Sequence, residues 1–371
     1  MKISPISNVN FTGKIIDAHA HLGTFADGFR HTVDNFTAED IVEIANRPIN
    51  DGQDTLEKVI VSNLDGVYQN PEGYEDVLAK KGLSLQYLSE YDANMNIFRE
   101  CKKSPILKPI AICQPERHSD ASEIRKVLQD GEFFGLKFHP EYTKVGAENS
   151  IYEPYMKLAE EFKLPCLFHC DASGSNFSSP RQIYELAKKF PKVPVILAHL
   201  GAGGDECHQK AVDVILESVK NNDATLYADI SWVDCDKSEK NIIVSALQQL
   251  QNSSKGDMTG RLLFGTDAPI GNFGAEGFKD VNYYGNNVRD IKNSIRKAFG
   301  DSAETLIDKL FYQNAEELFF SGKKVENPVE TVIKQTKNNK FGKFAACGAV
   351  LVGALIGVGC ALKNRFDKND R

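Results

Sequence analysis

Over the first 320 residues, short apolar runs alternate with longer helix-like stretches. The runs are KIIDAH at 14–19, VIVSNL at 59–64, ILKPIAIC at 106–113, FFGLKFH at 133–139, CLFHC at 166–170, VPVILAH at 193–199, TLYADIS at 225–231 and RLLFGTD at 261–267. They are continuously apolar, β-branched or aromatic rather than alternating, the mark of strands buried on both faces. Helix candidates lie between them at 121–130, 152–163, 180–190, 206–221 and 238–251. Ser179 and Pro180 fit an N-cap and first helical position. Alternating βα units predict a parallel sheet. Eight of them predict an α/β fold closed as a (β/α)8 TIM barrel, here over residues 14–320. The rival, an open doubly wound sheet, lacks a GxGxxG after its first strand. No internal repeat of 20 to 50 residues is present.

Three connections depart from the short-loop pattern. Leu22 to Thr37 and Asp65 to Ser84 are long, and Pro269 to Tyr284 is glycine-rich. Long loops after barrel strands shape the substrate pocket.

Residues 1–13 form a polar leader with no apolar h-region, so no secretory signal is predicted. The other end differs in kind. Residues 344–362, FAACGAVLVGALIGVGCAL, carry no charge, and Lys343, Lys363 and Arg365 flank them. That length suits a bilayer span, and Gly353 and Gly357 offer a small-xxx-small step for helix pairing. The expectation is an apolar helical tail contacting a membrane; the other reading is a Gly/Ala-rich helix packed on protein. Residues 321–343 read as a polar linker and 363–371 as a polar terminus. The barrel is expected in the cytoplasm, membrane-anchored by this tail. Positive charge on both sides leaves the orientation open.

The chain has 371 residues, 42% apolar and 26% charged, with net charge −7. No basic block stands out, so nucleic-acid partners are not expected. The eight cysteines form no CxxC pair, which suits a reducing compartment. The expected partner is a small-molecule substrate; a homo-oligomer is left open.

Candidate chemistry lies at strand ends. Five of eight histidines, His19, His21, His139, His169 and His199, sit at or just past predicted strands. A barrel delivers all such ends to one mouth, where Asp267 also arrives. His19 and His21, two apart, project from one strand face, a spacing that suits two nitrogens on one zinc ion. Asp17 reads as support for that strand. Taken singly, His169 and His199 also read as satisfied core histidines, and Asp267 as a turn or cap residue. Together they are hard to assign to packing. Lys137 and His139 share a face of strand four. Arg181, in a first helical turn, can bind a carboxylate or simply lie on the surface. Trp232, the single tryptophan, lines the pocket or merely packs. Asp229 and Ser231 share a strand face and fit a supporting role. Arg30 and His31 lie in the first long loop.

IIDAHAHLG, LKFHP, LFHCDASG, FPKVPVILAHLGAGG and LLFGTDAP, in this order, resemble the amidohydrolase superfamily. The similarity is greatest to the branch of amidohydrolase-related hydrolases and aminocarboxymuconate-semialdehyde-type decarboxylases. YQNAEELF at 312–319 resembles that branch's closing helix. The resemblance implies metal ligands at His19, His21, His169 and Asp267, with Asp267 also taking a proton. It implies that His199 activates water or substrate, or binds a second metal. It assigns Lys137, within LKFHP, to the branch with one metal, where this lysine is unmodified. Lys137, His139, Arg181 and Trp232 are the substrate-binding candidates. One divalent ion is expected, zinc by its histidine-rich ligation, with manganese, iron and cobalt also suited. The implied activity is hydrolysis of a C–N or C–O bond by activated water. The alternatives are non-oxidative decarboxylation of a small carboxylic acid, and a non-catalytic metal-binding barrel at a membrane.

Overall fold

The computed structural model describes residues 13–27, 32–50, 52–63, 75–81, 88–118, 120–233, 241–270 and 281–321. The chain divides into the unit Met1–Gly322 and a second unit Lys323–Arg371. The linker at 321–343 beyond Ser321, the apolar stretch 344–362, and Arg30, His31, Cys235, Cys347 and Cys360 lie outside the described residues. Among the described residues no helix is long and apolar enough to cross a membrane.

Ten strands are described: β1 (Gly13–Asp27), β2 (Thr32–Phe36), β3 (Asp54–Asn63), β4 (Leu107–Pro109), β5 (Ala111–Ile112), β6 (Leu136–Phe138), β7 (Cys166–Phe168), β8 (Pro194–Leu197), β9 (Thr225–Asp229) and β10 (Leu262–Leu263). Every predicted run contains one. The third run is split into β4 and β5. The first long connection is partly ordered: β1 continues to Asp27 and folds back antiparallel on β2, with Gly23 opposite Phe36.

The expected closed barrel needs correction. The strands form two sheets, in the orders β2-β1-β3-β4 and β10-β9-β8-β7-β6-β5, whose neighbours are parallel except for β1 with β2. The ladder breaks between β4 and β5, beside Pro109, whose ring nitrogen has no proton to donate. It breaks again where β10 is only two residues long. Backbone hydrogen bonds still cross both gaps. Ile110 N donates to Val61 O at 2.9 Å, while Ala18 N to Phe264 O and Asp267 N to His19 O span 2.9 and 2.7 Å.

Alternate strand residues enter separate clusters. Ile16, Ile60, Leu167, Ile196 and Leu263 pack with Ala315 and Phe319 of the last helix, Asn314–Phe320. Their neighbours Ile15, Val59, Val61, Cys166, Phe168, Val195 and Leu197 pack in the larger cluster with the helices. Burying each large aliphatic side chain contributes about 1.5–3 kcal/mol. Asn314 Nδ2 donates to Thr259 O at 3.0 Å and Leu262 O at 2.7 Å, which ties this closing helix to the last strand. The helix Asp205–Asn221 shows the outer layer's logic, burying Cys207, His208, Ala211, Val212, Val214 and Ile215 along one stripe. Pro180–Lys189 begins as expected, with Ser179 and Gln182 forming a capping box.

Candidate metal centre

The site starts from an irregularity in β1. Asp17 lies opposite Val59 and Ala20 opposite Val61, so β1 holds one extra residue, a bulge that re-aims His19 and His21. Asp17 fastens the bulge. Its Oδ1 accepts from His19 N and Thr266 N, both at 3.1 Å, and its Oδ2 from Thr266 Oγ1 at 2.6 Å and from the Tyr284 hydroxyl. Burial pushes the Asp17 carboxyl up to about 6, against those hydrogen bonds.

Three histidines are oriented through Nδ1. His19 Nδ1 lies 3.1 Å from Asp229 Oδ2, His21 Nδ1 2.8 Å from Ser62 Oγ, and His199 Nδ1 2.8 Å from Ser231 Oγ. This turns the Nε2 atoms of His19 and His21 onto one carboxylate oxygen, Asp267 Oδ1, at 3.1 and 2.8 Å. The other oxygen, Oδ2, accepts from Trp232 Nε1 at 2.6 Å. Asp229 also accepts from His199 N at 3.1 Å and from the Ser231 hydroxyl through Oδ1. Because Ser231 donates to Asp229, it accepts from His199, which places the His199 proton on Nδ1 and a lone pair on Nε2.

His199 Nε2 is 3.3 Å from His169 Nδ1, and the His169 ring stacks on His139 with centroids 4.0 Å apart. Lys137 Nζ lies 2.9 Å from His19 Nε2. Burial pushes the Lys137 ammonium down to about 8, against the charges of Asp267 and Asp229. Burial likewise brings His21 and His199 to about 4 and holds His139 and His169 well below the usual range, so these rings are neutral at pH 7. Burial opposes ionisation of Asp267 and Asp229 as well. The facing His19 and His199 imidazoles, with hydrogen bonds from His21 to Asp267 and from His19 and Ser231 to Asp229, together outweigh it and keep each below the ordinary carboxylate range.

Two backbone features adapt the chain to this cluster. His199, Trp232 and Asp267 have φ of 59°, 62° and 56°, a left-handed conformation that costs a non-glycine residue about 1–3 kcal/mol. Such strain gathers where side-chain direction serves function. A Cβ on Gly265 would sit 3.1 Å from His19 Cβ and 3.3 Å from Asp229 Cβ, tighter than most side-chain contacts, so glycine suits the close approach of the chain after β10.

The donors fit a divalent cation. His19, His21 and Asp267 each offer an atom within 4.8 Å of the others, as do His19, His199 and Asp229. Neutral imidazole nitrogens and an ionised carboxylate, buried and converging, suit zinc or manganese. His169 belongs to neither group; it reaches the cluster through His199. Arg181 is not brought in at all: it forms a bidentate pair with Glu217 at 3.0 and 2.7 Å on the helical layer, because both lie on exposed helix faces. A surface groove of about 640 Å³ lies between the helices Asp205–Asn221 and Ile242–Gln251 and shares no residue with the cluster. The sequence pattern did not single out Ser62, Thr266 or Tyr284. Ser62 was findable, because it faces His21 in the β1–β3 register.

The fold and cluster are those of an α/β protein with a potential metal centre. The chain belongs to the amidohydrolase family, whose model matches residues 16–320. Among solved structures, it resembles Amidohydrolase 2 from Bifidobacterium longum subsp. infantis (12% identity, TM-score 0.51), covering 83% of this chain and 99% of that one. It also resembles manganese-bound 5-carboxyvanillate decarboxylase from Novosphingobium aromaticivorans (12% identity, TM-score 0.50; 83% and 96% covered). A third is a candidate 2-pyrone-4,6-dicarboxylic acid hydrolase from Pseudomonas putida (14% identity, TM-score 0.50; 82% and 97% covered). No curated protein matches the sequence.

Proposed function

We propose that the chain is a metal-dependent hydrolase that cleaves a C–N or C–O bond of a small molecule. The observation that carries this reading is the convergence of His19 Nε2 and His21 Nε2 on Asp267 Oδ1. His19, His21, His169 and Asp267 would hold one divalent ion; zinc is favoured, with manganese, iron and cobalt also suited. When bound, the ion supplies Lewis acidity, lowering the pKa of water toward about 7.

The chain's own groups do the rest. Asp267, ionised and fixed at Oδ2 by Trp232, accepts the proton of the attacking water. His199 presents an unprotonated Nε2, so it orients that water rather than polarising the scissile bond. Lys137 supplies a buried positive charge for the oxygen that gains charge in the transition state. Tyr142 and Trp232 are the exposed large apolar side chains among the described residues, at 51% and 46%. Both border the cluster: Tyr142 meets His139 edge-on at 4.1 Å, and Trp232 lies 6.1 Å from His199. Exposed rings beside the polar cluster favour a planar substrate.

Decarboxylation is the second reading. It draws on the solved decarboxylase relative and on Lys137 as a cation for the substrate carboxylate, since Arg181 is tied to Glu217. A panel of lactones, esters, amides and aromatic carboxylates separates the two. Ring opening or acyl cleavage without CO2 release supports hydrolysis; CO2 release overturns it. Metal content by plasma mass spectrometry is expected to fall by one equivalent in His19→Ala and in Asp267→Ala, and an unchanged content overturns the metal centre.

Residues 344–362 are proposed as a membrane anchor. Full-length protein found in the soluble fraction of its cell, like a variant lacking 341–371, would overturn that.

A further inference from the structure

Glu90 opens the helix Glu90–Cys101 and is fully buried. Its Oε1 accepts from the Tyr155 hydroxyl at 2.9 Å and from Gln114 N. Its Oε2 is buried without a hydrogen-bond partner among the described residues. Leaving a buried carboxylate oxygen without a partner is destabilising. Burial pushes the Glu90 carboxyl up to about 8, and a proton on Oε1 could pass to the Tyr155 hydroxyl, whose own proton reaches His118 O at 2.8 Å, but either state leaves Oε2 without a partner.

The neighbouring charges do not resolve it either. The strongest that Glu90 meets are those of Glu123 and Glu116, both anionic. Arg117, the nearby cation, has its Nε 3.8 Å from Glu116 Oε1. His118 Nδ1 lies 3.9 Å from Glu123 Oε1, while Glu123 Oε2 accepts from Tyr91 N at 3.0 Å. One donor atom from each of Glu90, His118 and Glu123 falls within 4.8 Å of the other two. Oε1 is already engaged, so Oε2 is the Glu90 oxygen available to this cluster.

We infer that Glu90, His118 and Glu123 form a second divalent-cation site, separate from the centre at His19, His21 and Asp267. One imidazole and two carboxylates suit zinc or manganese. His118 and Glu123 are partly exposed, at 26% and 33% of their side chains, so water completes the coordination. The ion would satisfy Glu90 Oε2 and tie together the start of Glu90–Cys101, the loop after β5 and the start of Ser122–Asp130. Its role is therefore a brace on one sector of the ring.

The test counts zinc by plasma mass spectrometry in the full chain after reconstitution and desalting. Four proteins are compared: wild type, His118→Ala, His21→Ala and the double variant. His118 is partly exposed and outside the apolar core, so its truncation spares the core. About two equivalents are expected in wild type, one in each single variant and none in the double. Zinc should also raise the melting temperature of His21→Ala, and fail to do so in the double variant. An unchanged count in His118→Ala overturns the second site, whatever His21→Ala does. Loss in His118→Ala but not in His21→Ala would support it while overturning the centre at His19, His21 and Asp267, so the two failures are distinguishable.

Discussion

Trp232 Nε1 donates to Asp267 Oδ2 at 2.6 Å, which leaves Oδ1 to face His19 and His21. A side chain 46% exposed to solvent thus fixes one that is only 4% exposed. Trp232→Phe keeps the ring and removes the donor. Supporting hydrogen bonds of this type are worth about 10- to 100-fold in metal affinity or activity. That loss is expected in a chelator competition or in turnover, with KM nearly unchanged. Full turnover and full affinity would show that the bond does no positioning.

Asp229 and Ser62 orient histidines from opposite sides of the site. Asp229→Asn keeps an oxygen for His199 N and Ser231 but sets an amide NH2 against His19 Nδ1 in place of an acceptor, so it should weaken metal binding and lower the melting temperature. Ser62→Ala removes a single partner of His21 and should weaken binding by about tenfold, the low end for such partners. The order of effect, Asp229→Asn above Ser62→Ala, is the checkable result of paired titrations.

His199→Asn separates two roles. Asn tolerates the left-handed backbone that His199 adopts, so the fold should survive. If His199 orients water, metal content stays at the wild-type value and turnover falls about 10²–10⁴-fold, the usual worth of a positioned acid or base. Loss of one equivalent would instead make His199 a ligand of a second barrel metal.

Arg181→Ala should leave both turnover and metal content unchanged. Its pair with Glu217 is 53% and 40% exposed, and such pairs contribute less than about 1 kcal/mol. A rise in KM would return Arg181 to the substrate site.

Thiol labelling tests the core. Burial pushes Cys101 up to about 12 and raises Cys113 and Cys166 further from ionisation. A raised thiol pKa means less thiolate at pH 8, so native protein should resist N-ethylmaleimide at these three positions and label fully in urea. Rapid native labelling, read by peptide mass spectrometry, would contradict the packing.

Strand positions were legible because buried parallel strands are continuously apolar. Each predicted run therefore holds a strand, although β10 keeps only two residues of its run. The pairing of His19 with His21 was legible too, yet their direction is set by the bulge at Asp17–Ala20, which simple alternation does not reveal. His169 was expected beside the other ligands; its Nδ1 contact with His199 Nε2, at 3.3 Å, is one the sequence did not signal. Arg181 had a plausible position and a wrong neighbourhood, since a first helical turn points equally well to a cleft or to an adjacent helix. Glu90 carried no signal at all: an isolated Glu before an amphipathic helix reads as a favourable first-turn charge.

The sequence by itself determined the order of elements, the arrival of His19, His21, His169, His199 and Asp267 at strand ends, and the amidohydrolase motifs. Local chemistry suffices there, because apolar runs choose strands and strands deliver their ends. Only the tertiary structure decided that Asp229 serves both His19 and His199, that Trp232 holds Asp267, that the ring is two sheets bridged at two gaps, and that Glu90 is buried beside His118 and Glu123. Those facts are contacts between residues far apart in the chain, His19 and Asp229 by 210 positions. They depend on bulges, left-handed turns and helix packing, which no local pattern encodes.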